Sequence, residues 1–255
     1  SGIQGATVLY FPGCITDNLF PSMGEAVVKT LTGCGAKVVL PSQQLCCGLA
    51  YQNAGDSNSA VTYAKATIEM LEQESADYIV SSSASCAVAM VQDYPHLLRG
   101  EPEWQDRAKK LASGIMDFTS FMDAIARLAP GSLDSGEELE VSYHDSCQSS
   151  NCLKLGPQPR RLLREVMGIQ IREMEESDMC CGFGGTFSFE YPKVSKGILE
   201  HKLEHIYETG VNMVVTDNPG CIMQLRGGLH AAGSKIRGLH IAELIAERMD
   251  SIKER

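Results

Sequence analysis

Short apolar runs recur along this chain, and four of them stop at a cysteine. The runs "ATVLYFPGC" (6–14), "DYIVSSSASC" (77–86), "LEVSYHDSC" (139–147) and "NMVVTDNPGC" (212–221) predict strands ending near Cys14, Cys86, Cys147 and Cys221. "KVVLP" (37–41) and "IQIREM" (169–174) predict middle strands. Helical periodicity fills the intervals. Met23, Ala26, Val27, Thr30, Leu31 and Cys34 share one face, as do Val61, Ala64, Ile68 and Leu71, and then Leu199, Leu203 and Ile206, though no clear cap marks where that last helix starts. Each half closes on an amphipathic segment, "FTSFMDAIARL" (118–128) and "HIAELIAERM" (240–249).

Strands alternating with helices predict β-α-β units, right-handed crossovers and parallel sheets. Ligands of such sheets lie beyond the carboxyl ends of the strands, where these four cysteines fall. The Gly-, Ser- and acid-rich "APGSLDSGEELE" (129–140) is the expected linker. The expected fold class is therefore α/β: two pseudo-symmetric, Rossmann-like halves, residues 1–130 and 136–255, each a small parallel sheet with flanking helices.

The cysteines repeat with the strands. Cys14, Cys46-Cys47-Gly48 and Cys86 are separated by 31 and 38 residues; Cys147, Cys180-Cys181-Gly182 and Cys221 are separated by 32 and 39. Two Cys-Cys-Gly sets flanked at nearly equal distances are an internal repeat. Ten cysteines without a basic region followed by an apolar one near the start argue against a secreted disulfide scaffold, and the expected location is cytoplasmic. The net charge of −10 and the lack of a dense basic run make nucleic acid an unexpected partner, and no stretch is apolar enough for a transmembrane segment.

Four thiolates per half suit either an iron–sulfur cluster or structural zinc. The glycines of "CCGFGG" favour the cluster, because Gly182, Gly184 and Gly185 let backbone N–H groups approach its sulfurs, and the helix that follows offers a positive end. Zinc usually takes Cys-x-x-Cys knuckles; here Ser83 and Asn218 stand where such knuckles would begin. Other residues invite plainer readings. Cys34 is expected in the core and Cys152 as a loop thiol. His144 is expected to end a strand rather than donate to a ligand sulfur. His201 and His205, without a third ligand, read as a solvated face, and the aromatics of "FSFEY" (187–191) as core.

The sequence "CCGFGGTFS", the paired Cys-Cys-Gly sets and "GC-x-M-x-x-x-GGL" (220–229) resemble the cysteine-rich CCG-domain proteins, most closely the lactate-utilisation protein A family. The glycolate oxidase iron–sulfur subunit and the B component of heterodisulfide reductase are related. The resemblance implies an electron-transfer subunit of a multi-subunit oxidoreductase acting on L-lactate or a related 2-hydroxy acid, with a ferredoxin-like protein B and a protein C as partners. It implies one or two [4Fe-4S] clusters, with a CCG metal site in each half: Cys14, Cys46, Cys47 and Cys86, then Cys147, Cys180, Cys181 and Cys221. Zinc in one site is a further implication, and a zinc scaffold without redox role or disulfide-reducing chemistry are the alternatives. Ser83 and Asn218 replace the fifth cysteine of the heterodisulfide reductase pattern, which argues against that chemistry. The ferredoxin pattern C-x2-C-x2-C-x3-C is absent, so electrons are expected to cross to separate subunits.

Overall fold

In the computed structural model, which describes residues 1–254, eight strands form two four-stranded, wholly parallel sheets. The first contains β1 (Thr7–Phe11), β2 (Lys37–Val39), β3 (Tyr78–Ser81) and β4 (Ile115–Asp117) in the order β2-β1-β3-β4. The second contains β5 (Glu140–Tyr143), β6 (Gln170–Ile171), β7 (Met213–Thr216) and β8 (Arg237–His240) in the order β6-β5-β7-β8. The orders are identical under the repeat, so the chain is α/β with two similar halves. The central strands β1 and β7 are buried almost throughout, which suits their apolar runs to a sheet covered on both faces.

The helices follow the periodicity closely. The first apolar stripe lies on Pro21–Gly33, opened by a proline that needs no N–H at that position. The second lies on Ser57–Glu72, where Asp56 accepts from Ser59 N at 3.1 Å as the cap. The third lies on Pro192–Glu208, whose start is again set by proline rather than by a side-chain cap. Two short edge strands, β4 and β8, go beyond the sequence expectation. Each runs straight into a helix, capped by Asp117 in one half and His240 in the other.

The halves meet through crossed helix pairs. Pro21–Gly33 packs against Ile241–Lys253, and the helical stretch 118–126 packs against the stretch 157–166. These pairs exchange under the repeat: in each, the helix after one half's first strand meets the closing helix of the other. The largest apolar core accordingly draws Val8, Tyr10, Leu31 and Phe121 from one half and Val141, Tyr143, Leu163 and Ile245 from the other. Cys34 is buried in it, as expected of a packing residue.

The segment expected to be a linker is anchored. Leu133 belongs to the shared core, and its N–H donates to Val166 O at 3.0 Å, while Gly131 N donates to Glu165 O at 2.7 Å. The buried Arg248 donates to Ser135 Oγ and to Glu137 O. Composition announced a break in the pattern, not freedom. No described helix is long and apolar enough to cross a membrane.

Candidate metal centre

Each cysteine set is assembled from the carboxyl ends of the strands. β1 ends at Phe11 and delivers Cys14 at the start of the helix Gly13–Leu19; β3 ends at Ser81 and delivers Cys86 within Ala84–Val88. β7 ends at Thr216, and Cys221 sits in the first turn of Pro219–Ala231, where helix N–H groups favour a thiolate. The paired cysteines come from the loops after β2 and β6. All eight repeated cysteines line one cavity of about 430 Å³, and the buried Cys47, Cys86, Cys181 and Cys221 form its floor. Cys152 does not line it; the Cys152 carbonyl instead accepts from Gln92 Nε2 at 3.0 Å.

The paired turns are alike atom for atom. Gly48 adopts φ +82° and donates its N–H to Cys46 Sγ at 3.4 Å; Gly182 adopts φ +87° and donates to Cys180 Sγ at 3.3 Å. A Cβ on Gly182 would stand 2.5 Å from Ser195 O, so that turn demands glycine twice over, by conformation and by space. Gly184 (φ +56°) and Gly185 (φ +65°) also line the cavity. Gly13 lets the backbone pass Cys86, whose sulfur would lie 2.9 Å from an added Cβ.

Within each set neighbouring thiols interact in series, Cys14–Cys46–Cys47–Cys86 and Cys147–Cys180–Cys181–Cys221. Shared protons split their acidities. Bonds from Cys14 and then Cys47 bring Cys46 down to about 3, and bonds from Cys147 and then Cys181 bring Cys180 down to about 2. Cys181 lowers Cys221 to about 6, and Cys47 lowers Cys86. Their proton-holding neighbours are pushed up correspondingly. Four clustered thiols, two of them lowered in each set and one receiving a backbone N–H on its sulfur, fit an iron–sulfur cluster or zinc equally in donor type.

The second set carries polar groups that the first lacks. His144 does more than end β5. Its Nδ1 donates to Ser177 O at 3.2 Å, which leaves the buried Nε2 as an acceptor, and the ring groups with the sulfurs of Cys181 and Cys221 and helps to lower Cys221. Phe11 occupies the matching place in the first half. Lys202 is fully buried beside this set, its ammonium on Glu176 O at 2.5 Å and within electrostatic range of Cys181. Lys202 stands four residues from both Ile198 and Ile206, on the apolar stripe of its helix, so its burial follows the periodicity, while its charge masked it; His144 was visible next to Cys147. Where the sets meet, Asn218 Nδ2 donates to Ser85 Oγ at 2.6 Å. The missing knuckle position of one half thus bonds to the other half.

Two expectations about the aromatic stretch are corrected. Phe189 is 78 % exposed and Tyr191 56 % exposed, because "FSFEY" forms a short surface helix, Phe187–Glu190, at the cavity mouth. That short helix, rather than the long Pro192–Glu208, is the one that reaches the cavity. Leu19, 56 % exposed, faces the same opening from the other half.

The family model described as CCG, cysteine-rich domain, matches residues 8–91 and 141–226, one match per half. A lactate utilization protein A from Exiguobacterium sp. is 36 % identical over 94 % of this chain and 97 % of its own length. A Bacillus subtilis protein described as a probable glycolate oxidase iron-sulfur subunit is 32 % identical over 94 % of this chain, but over only 54 % of its own. A hypothetical protein from Helicobacter pylori superposes with a TM-score of 0.68 over 96 % of this chain and 49 % of its own; at 11 % identity it speaks for the fold alone. The matched segments hold all eight repeated cysteines, and the chain belongs to the CCG cysteine-rich family.

Proposed function

We propose that this chain is the iron–sulfur electron-transfer subunit of a multi-subunit oxidoreductase that oxidises L-lactate or a related 2-hydroxy acid. The observation that carries the proposal is the convergence of both four-thiol sets on one cavity. Cys14, Cys46, Cys47 and Cys86 would hold one [4Fe-4S] cluster, and Cys147, Cys180, Cys181 and Cys221 another. When bound, such clusters accept and release single electrons. The chain's own residues do the rest. Gly48 and Gly182 N–H groups spread the negative charge on sulfur, Lys202 balances it in the second half, and buried apolar walls keep water from the inner thiolates.

A second reading of one site has its own support. His144 Nε2 beside Cys181 and Cys221 adds an imidazole to the thiolate set, a mixture common in zinc sites. Zinc in the second half with a cluster in the first would leave a single redox centre. Disulfide-reducing chemistry has no comparable support: Ser83 and Asn218 cap helices through Cys86 N and Gly220 N, and so fill the fifth-ligand positions with structural roles.

Names of relatives support a complex, and the ferredoxin-like protein B and protein C are the partners proposed here. The exposed Leu19 and Phe189 at the cavity mouth give such partners an apolar landing close to the thiols. The test is anaerobic mixing of this chain with proteins B and C and L-lactate. The proposal expects bleaching of this chain's visible absorbance by lactate only when the partners are present, and loss of that coupling in Phe189→Asp with metal content unchanged. Bleaching that never occurs, although the cluster can be reduced by dithionite, would overturn the assigned role.

A further inference from the structure

A separate cluster of metal-type donors lies on the outside of the second half. His201 and His205 stand one turn apart on Pro192–Glu208, and the loop between β6 and the Cys180–Cys181 pair brings Glu176 against them. Glu176 Oε2 is 3.5 Å from His201 Nε2 and 3.6 Å from His205 Nε2. Ligand atoms around a tetrahedral ion with bonds of about 2.0–2.2 Å stand roughly 3.3–3.6 Å apart. These separations are long for hydrogen bonds and right for a shared ion.

A carboxylate also stands on the far side of each ring. His201 Nδ1 is 3.4 Å from Glu204 Oε2, and His205 Nδ1 is 3.6 Å from Glu208 Oε2. For His201 that carboxylate is within hydrogen-bonding reach of Nδ1, which sets its tautomer and leaves the Nε2 lone pair facing Glu176, an arrangement typical of metal-bound histidine. His205 is the independent indication. It is only 9 % exposed, both of its ring nitrogens are shut off from solvent, and neither has a hydrogen-bond partner. Buried polar atoms are seldom left unsatisfied without a ligand to complete them.

We propose that Glu176, His201 and His205 bind one divalent zinc ion, outside the cysteine cavity and whatever the cysteines hold. Two imidazoles and a carboxylate suit zinc in type. His201 and Glu176 are half exposed, so the fourth position opens to water. Glu204 and Glu208 offset the remaining positive charge. The ion would act as a clip. Glu176 belongs to the loop leading into Cys180, its backbone is held by Lys202, and the histidines belong to the helix that follows Cys181. Zinc here would fasten the two sides of the second cysteine set to each other.

The test adds one equivalent of zinc to anaerobically purified, iron-loaded protein, followed by gel filtration and zinc X-ray absorption. His201→Ala and Glu176→Gln are measured alongside; both side chains are half exposed and neither belongs to the cysteine sets. The expected result is one retained zinc with a nitrogen and oxygen shell at about 2.0–2.1 Å. Each variant should bind zinc at least tenfold more weakly while keeping its iron. No retained zinc in the unaltered protein would overturn the proposal, as would a sulfur shell near 2.3 Å or equal retention in both variants.

Discussion

At the scale of single residues, the site is specified by conformation as much as by thiols. Gly182 and Gly185 both have left-handed backbones, but an added Cβ meets Ser195 O at 2.5 Å on Gly182 and nothing within 4 Å on Gly185. Gly185→Ala should therefore cost only the backbone penalty, about 1 kcal/mol, while Gly182→Ala should cost about 2–4 kcal/mol. Gly182→Ala should also lower the metal content, because the turn that aims its N–H at Cys180 must shift. Equal urea midpoints for the two variants would contradict the packing argument. A second residue prediction concerns Asp217, which burial and the nearby Asp117 raise to about 7, against Ser149 and Ser146 bonds that pull it down. Its folded value exceeds its unfolded one, so the stability tied to the neutral acid is complete below about pH 4 and is lost as pH rises through 7. Asp217→Asn removes that loss. The melting temperature of the unaltered protein should fall relative to the variant between about pH 4 and 7 and level off above; parallel curves across that range would show that Asp217 does not titrate there.

At the scale of elements, the sequence was legible where one signal had one cause. Apolar runs ending at Cys14, Cys86, Cys147 and Cys221 became β1, β3, β5 and β7, and the stripes around Val27, Ile68 and Leu203 became buried helix faces. β4 and β8 escaped because three or four residues passing directly into a helix leave no alternation to read. Segment 129–140 looked loose because glycine and acidic residues report conformation and charge, not contacts. Only the fold could reveal that Arg248 reaches it across more than a hundred residues. Arg248→Ala leaves Ser135 and a carbonyl without their donor and should cost on the order of 2–4 kcal/mol. It should also open 129–140 to limited proteolysis. A variant as protease-resistant as the unaltered chain would return that segment to the status of a passive connection.

At the scale of the whole molecule, the repeat becomes a shared cavity. Spacing alone established that the two cysteine sets are equivalent, but equivalence does not say whether they face together or apart. The crossed helix pairs decide this: they bury one core between the sheets and turn both carboxyl edges toward a single opening. The halves then differ where their chemistry can differ, His144 against Phe11 and the buried Lys202 beside Cys181. The central claim is that the eight cysteines hold redox-active iron–sulfur centres. Its most direct test is iron, zinc and acid-labile sulfide analysis of anaerobically purified protein, with an electron paramagnetic resonance spectrum after dithionite. The account predicts about four or eight irons per chain with matching sulfide, and a signal from a reduced cluster. Zinc without sulfide, in a colourless and folded protein, would contradict it and make the paired cysteines a scaffold.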